Sequence, residues 1–310
     1  MGLFDKFKKN KSNGFGFKYL KELIEGSNEI VLDNDIMLVA GEETEFPEGI
    51  VLDKNIVIDG NGHAIDAKGK AQIFRCTAKK VAIKNITLKN GFCEDSGGAI
   101  VNDEGELLIC KSTFKDNRAG NWSGAIQNNK GRIKIIESRL TNNTAKRSGG
   151  AIGNDRGDLK IIKCSLKDNK AIDDGGGAIN NYATAREEST VDISQSTFSG
   201  NSAKWGGAIY NFMGTSKISE SRLEKNTAED SGAVMSNRGK VIITESEISK
   251  NTGTAQSGAI TNYMGDLKII DSAITHNNAN MGSGAIDNDK ERSFTSVNCK
   301  FENNNPRDFK

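Results

Sequence analysis

One unit recurs along the 310-residue chain every 25 to 32 residues, and that period leaves few folds open. Gly-Ala pairs begin at Gly98, Gly124, Gly150, Gly177, Gly207, Gly232, Gly258 and Gly284. Three residues past each alanine stands an asparagine: Asn102, Asn128, Asn154, Asn181, Asn211, Asn262 and Asn288, with Ser236 the exception. A serine or cysteine slot follows, then Phe, Leu or Ile, and three residues later a second asparagine in all eight copies, from Asn117 to Asn304.

A repeat of about 26 residues fits one coil of a parallel β-helix, with three short strands and three turns. Each strand then pairs with its counterpart one coil away, so equal slots lie about 4.8 Å apart and a one-residue slip misplaces every core side chain. The expected fold is an all-β, right-handed, single-stranded parallel β-helix over 29–304. It holds about ten to eleven coils and is regular from about residue 86. Stacked Ile, Leu and Val make an apolar ladder, and stacked asparagines an amide ladder in which every member but the last is satisfied. The Gly-Ala pairs and the Ser/Cys slots mark close approaches, and the second-turn glycines from Gly105 onward mark a turn. Cys164 and Cys299 sit in the serine slot and read as small packing residues.

The ends differ from the repeat. Residues 1–17 form a basic amphipathic tail in which Leu3, Phe4 and Phe7 alternate with lysines, with weak membrane-surface contact through residues 1–11 as one reading. Residues 18–28 place Tyr19, Leu20, Leu23 and Ile24 on one face and stop at Gly26, as a helix capping the first coil would. Residues 305–310 read as a polar tail. The fourth coil widens through Tyr182 to Ser189 and loses its second glycine, which is how a solenoid grows a side loop.

Composition narrows the function. With 42 basic and 41 acidic residues there is no charge bias toward nucleic acid. The five cysteines have no metal-ligand or paired spacing, and His63 and His276 lie coils apart, so neither a metal nor another cofactor is expected. No run of 18 apolar residues exists and residues 1–15 lack a signal core, which by itself points to a cytoplasmic or membrane-peripheral chain.

Gly97-Gly98-Ala99-Ile100 with Phe114 to Asn117, and Gly206-Gly207-Ala208-Ile209 with Phe198 to Asn201, resemble the repeat of the chlamydial polymorphic outer-membrane proteins, which are autotransporter-like adhesins. The stretch Asn55 to Asp66, leading into Lys84 to Gly91, is similar to adhesin-like proteins of methanogenic archaea. The resemblance covers about residues 18 to 304. It implies a β-helix of the pectate-lyase-like type, used mostly at cell surfaces.

Function must sit where the copies differ. Asp173-Asp174 resembles the paired carboxylates of a glycosidase, and Arg132-Ile133-Lys134 the letters of a sugar-carboxylate motif. The latter also fits the repeat strand that elsewhere reads Asp158-Leu159-Lys160. Aromatic residues instead collect in variable slots: Trp122, Tyr182, Trp205, Tyr210, Phe212 and Tyr263. Such rings either stack on sugars or form a protein contact, or else they cover the widened loop of the fourth coil. The sequence therefore points to a non-catalytic, adhesin-like surface for a polysaccharide or a surface protein. A polysaccharide lyase or hydrolase and a self-associating scaffold are the alternatives.

Overall fold

The computed structural model describes residues 15–289 and 292–309. Each coil carries four strands rather than the three expected. In one full coil they are Lys80–Lys84, Thr87–Lys89, Phe92–Cys93 and Ile100–Asp103, after which Glu106–Cys110 opens the next. Repetition yields four all-parallel sheets of eleven, eleven, eight and ten strands, called here the first to fourth in that chain order. The third sheet is built from very short strands such as Arg118–Ala119 and Thr144–Ala145. Two residues are too few to show a period, so the sequence reads them as turn.

The register explains the stability. Ile83, Ile109, Ile135, Ile161, Ile193, Ile218, Ile243 and Ile269 pair in line through the first sheet, and all are buried. Each such side chain contributes about 1.5–3 kcal/mol relative to exposure. Their first-sheet neighbours alternate outward, the half-buried pattern of a strand with one wet face.

At the second turns it is the residue before the glycine that takes the left-handed region, as at Glu104, Lys130 and Arg156, rather than the glycine itself. Those glycines are needed for space: a side chain on Gly131 would collide with Asn102 Nδ2 and the Gly105 carbonyl. In the fourth coil Ser189 takes the glycine slot and becomes a rung, donating to Asn181 Oδ1 at 2.7 Å and accepting from Asn154 Nδ2 at 2.9 Å.

Two amide ladders run along the solenoid. In one, Asn117, Asn143, Asn169, Asn201, Asn226, Asn251, Asn277 and Asn304 each donate from Nδ2 to the next Oδ1 at 2.9–3.0 Å. Its ends are closed by the Gly91 N–H at one side and by Asp308 at the other. The other ladder joins Asn102, Asn128, Asn154, Asn181 and Asn211, stops at Ser236, and resumes from Asn262 to Asn288. Here the unsatisfied amide atoms are Asn102 Oδ1 and Asn262 Oδ1, each on the first member of its run. Donation runs toward higher coils, so it is the first oxygen, and not the last amide, that lacks a partner.

Helix α1, Phe17–Gly26, packs Phe17, Leu20 and Ile24 against the first coil. Its first turn is capped from a distance. Glu42, in the short helix α2 (Glu42–Glu45), accepts the N–H groups of Phe17 and Lys18 at 2.9 Å and of Val39 at 2.8 Å. The expected amphipathic segment 1–11 lies outside the described residues. At the other end, residues 305–309 do not trail away as a polar tail. Asn305 and Phe309 bridge to Asn278 and Ile286, Arg307 and Asp308 accept from Gly284 and Ile286, and Phe309 packs on Phe294 and Phe301. The segment fills strand positions that the last coil leaves open.

Candidate ligand-binding groove

On the fourth sheet the two slots flanking each ladder asparagine face outward, and the register lines them up coil after coil. One column reads Gln127, Gly153, Asn180, Tyr210, Met235; the other Asn129, Asp155, Tyr182, Phe212, Asn237. The turns between the third and fourth sheets add Trp122 and Arg147, the end of the strand Ser202–Trp205 adds Trp205, and the widened loop adds Thr184. Together these residues, apart from Met235 and Asn237, line a groove of about 660 Å³.

Five of the six aromatic candidates meet there. Tyr182 and Phe212 stack with centroids 5.3 Å apart and 6° between planes, Tyr210 lies 5.9 Å from Trp205 and 6.4 Å from Phe212, and Arg147 sits 5.2 Å over the Trp122 ring. Gly175 makes room, since a side chain there would run into the Tyr210 ring. Tyr263, half exposed, lines a second depression of about 250 Å³ with Met235, Asn237 and Gln256. Trp205 and Tyr210 belong to both depressions. Trp122 and Tyr182 keep 38% and 41% of their surface exposed, so ring area remains for a ligand to cover.

The charges are largely engaged. Arg156 is held by Asp155 at 2.8 Å and Glu187 at 3.0 Å, and Lys130 reaches Glu187 at 2.8 Å. The hydrogen bonds that Arg156 donates to Asp155 and Glu187 push its guanidinium pKa up, while Lys130 and Arg156 hold the Glu187 carboxyl below its ordinary value. These pairs pin the widened loop to the rim. Burial raises the Tyr210 hydroxyl above its usual range, against a hydrogen bond from Asn237 Nδ2 at 3.4 Å. One coil beyond Trp205, with which Asp230 pairs, burial and then Glu229 raise the Asp230 carboxyl.

The carboxylate pair suggested by the sequence divides. Asp174 lines the groove and accepts the Gly175 N–H at 2.7 Å, whereas Asp173 is exposed and does not line it. Arg132 lies on the first sheet, paired with Glu106 at 2.9 Å. Among the described residues no group of three or more His, Cys, Asp or Glu is arranged to hold a metal ion. The polar lining, Gln127, Asn129, Asp155, Arg156 and Asn180, is not singled out by sequence reasoning. Its signal is position alone, one residue either side of a ladder asparagine or at the adjoining turn.

Fold and ladders define a repeat-built parallel β-solenoid of about ten turns, with its variable residues gathered on one sheet face. The Chlamydia polymorphic membrane protein repeat matches residues 195–211, a stretch that includes Trp205, Tyr210 and the ladder residues Asn201 and Asn211. That match spans less than one coil. No curated protein and no solved structure matches the chain. No helix among the described residues is long and apolar enough to cross a membrane.

Proposed function

We propose that this chain is a non-catalytic, adhesin-like β-helix that binds a polysaccharide in the fourth-sheet groove, displayed at a cell surface. The kinship with adhesin-like proteins of methanogens and with the pectate-lyase-like superfold belongs to the same proposal. One observation carries it: five aromatic rings from three coils converge on a single groove and interleave with amide, hydroxyl and carboxylate groups. Flat apolar rings beside convergent hydrogen-bonding groups suit the two faces of a sugar, one carbon-bearing and one hydroxyl-bearing. A protein partner would make more use of a broad apolar patch with a polar rim than of a narrow groove. Catalysis has less support, because the one aspartate of the pair that reaches the groove, Asp174, spends an oxygen on its own turn.

A glycan array tests the reading. The wild-type chain is expected to retain a glycan that the double variant Trp205→Ala, Tyr210→Ala does not. A blank array would overturn the reading. Fractionation of the source cells tests the surface location, which recovery in the soluble interior would contradict.

A further inference from the structure

Buried polar atoms without a partner are uncommon, and each withholds the stabilisation a hydrogen bond would give. Two of those in this chain, Asn180 Oδ1 and Asn237 Oδ1, belong to residues that line the aromatic depressions, one in each. Both are acceptors, so each calls for a donor from outside the protein. The depressions follow one another along the solenoid axis and share the Trp205–Tyr210 ridge. From the coil of Trp122 to that of Tyr263 is five coil steps, about 24 Å at the parallel-strand spacing.

The charge around these acceptors argues against an acidic ligand. The second depression is lined by Trp205, Tyr210, Met235, Asn237, Gln256 and Tyr263, none charged at neutral pH. In the first, Arg156 is consumed by Asp155 and Glu187, and the remaining Arg147 shares the lining with two more carboxylates, Asp95 and Asp174. A chain of uronic acids would meet no surplus of positive charge.

We propose that the two depressions are subsites for one linear, neutral oligosaccharide lying along the axis, with Asn180 and Asn237 accepting its hydroxyl or amide donors. This rests on the saccharide-binding reading above and specifies it. The chain crosses the Trp205–Tyr210 ridge, so a short fragment fills one subsite and a longer one fills both. Affinity then rises with length until the run from Trp122 to Tyr263 is covered.

Calorimetry with cello-, manno- and chito-oligosaccharides of two to six units, and with oligogalacturonates of the same lengths, tests this on the wild type, Asn180→Ala and Asn237→Ala. Thermal melts check that the variants fold. Asn180→Thr serves if the alanine does not, because Thr261 already occupies that column. For at least one neutral series, affinity is expected to rise with length. Each variant should weaken the hexamer about tenfold, close to the weight of one neutral hydrogen bond. The shortest binding fragment should respond to only one of the two variants. Neutral chains that bind with wild-type affinity to both variants, or binding confined to oligogalacturonates, would overturn this inference and leave the saccharide reading standing. Absence of binding to every oligosaccharide would remove both, and would turn attention to a protein ligand.

Discussion

A single serine interrupts an otherwise continuous column of amides. Ser236 is buried, its hydroxyl has no partner, and the oxygen of Asn262 above it is left without a donor. Replacing Ser236 by Asn would rejoin Asn211 to Asn262, and should raise stability by about 1 kcal/mol. A chemical denaturation series on Ser236→Asn measures this, and a lowered midpoint would show that the slot cannot hold an amide. Asp66 makes a second residue-scale prediction. Burial opposes its ionisation, but hydrogen bonds from Asn90 Nδ2 and the Lys68 N–H, with the Lys68 and Lys89 ammonium groups nearby, outweigh that and hold its pKa below the ordinary value. A carboxylate depressed in the folded state stabilises fully above its unfolded pKa, about 3.9, and loses that contribution as pH falls through the folded value. Thermal midpoints of the wild type are therefore expected to hold steady from neutrality to about pH 5 and to drop below about pH 4. Asp66→Asn should drop less steeply, and an unchanged acid limb would contradict the assignment.

Among the elements, α1 and the widened loop depend on distant charges rather than on their own sequence. The helix has no side-chain cap within its own first turn, and Glu42 supplies one from 25 residues away. Glu42→Ala removes the acceptor of three backbone N–H groups and should cost about 3 kcal/mol, with faster amide exchange confined to α1 and the first coil. Exchange unchanged at Leu20 and Ile24 would mean that burial alone holds the helix. Sequence made the helix legible through its apolar face, but not its anchor, because Glu42 lies in a stretch without periodicity. The ladders were legible because every coil needs the same residue at the same place. The two-residue strands of the third sheet were not, nor was the packing of residues 305–309, whose polar composition hides the part played by Phe309. The aromatic half of the groove could be read from rarity, whereas Gln127, Asn129 and Asn180 look like ordinary surface until the register stacks them.

For the whole molecule, the solenoid separates two tasks. Identical slots build ladders that hold four sheets in register, and the fourth sheet's flanking slots are left free to vary. That division places the chain's two tryptophans, Trp122 and Trp205, on the lining of one groove. Intrinsic tryptophan fluorescence thus reports on that groove and, through Trp205, on the depression adjoining it. Titration with a neutral hexasaccharide that the glycan array retains tests the central claim most directly. The account predicts a saturable change in emission whose midpoint matches the calorimetric affinity and which fades in Tyr182→Ala. Glycan binding that leaves both tryptophans undisturbed would place the binding surface elsewhere and contradict the account.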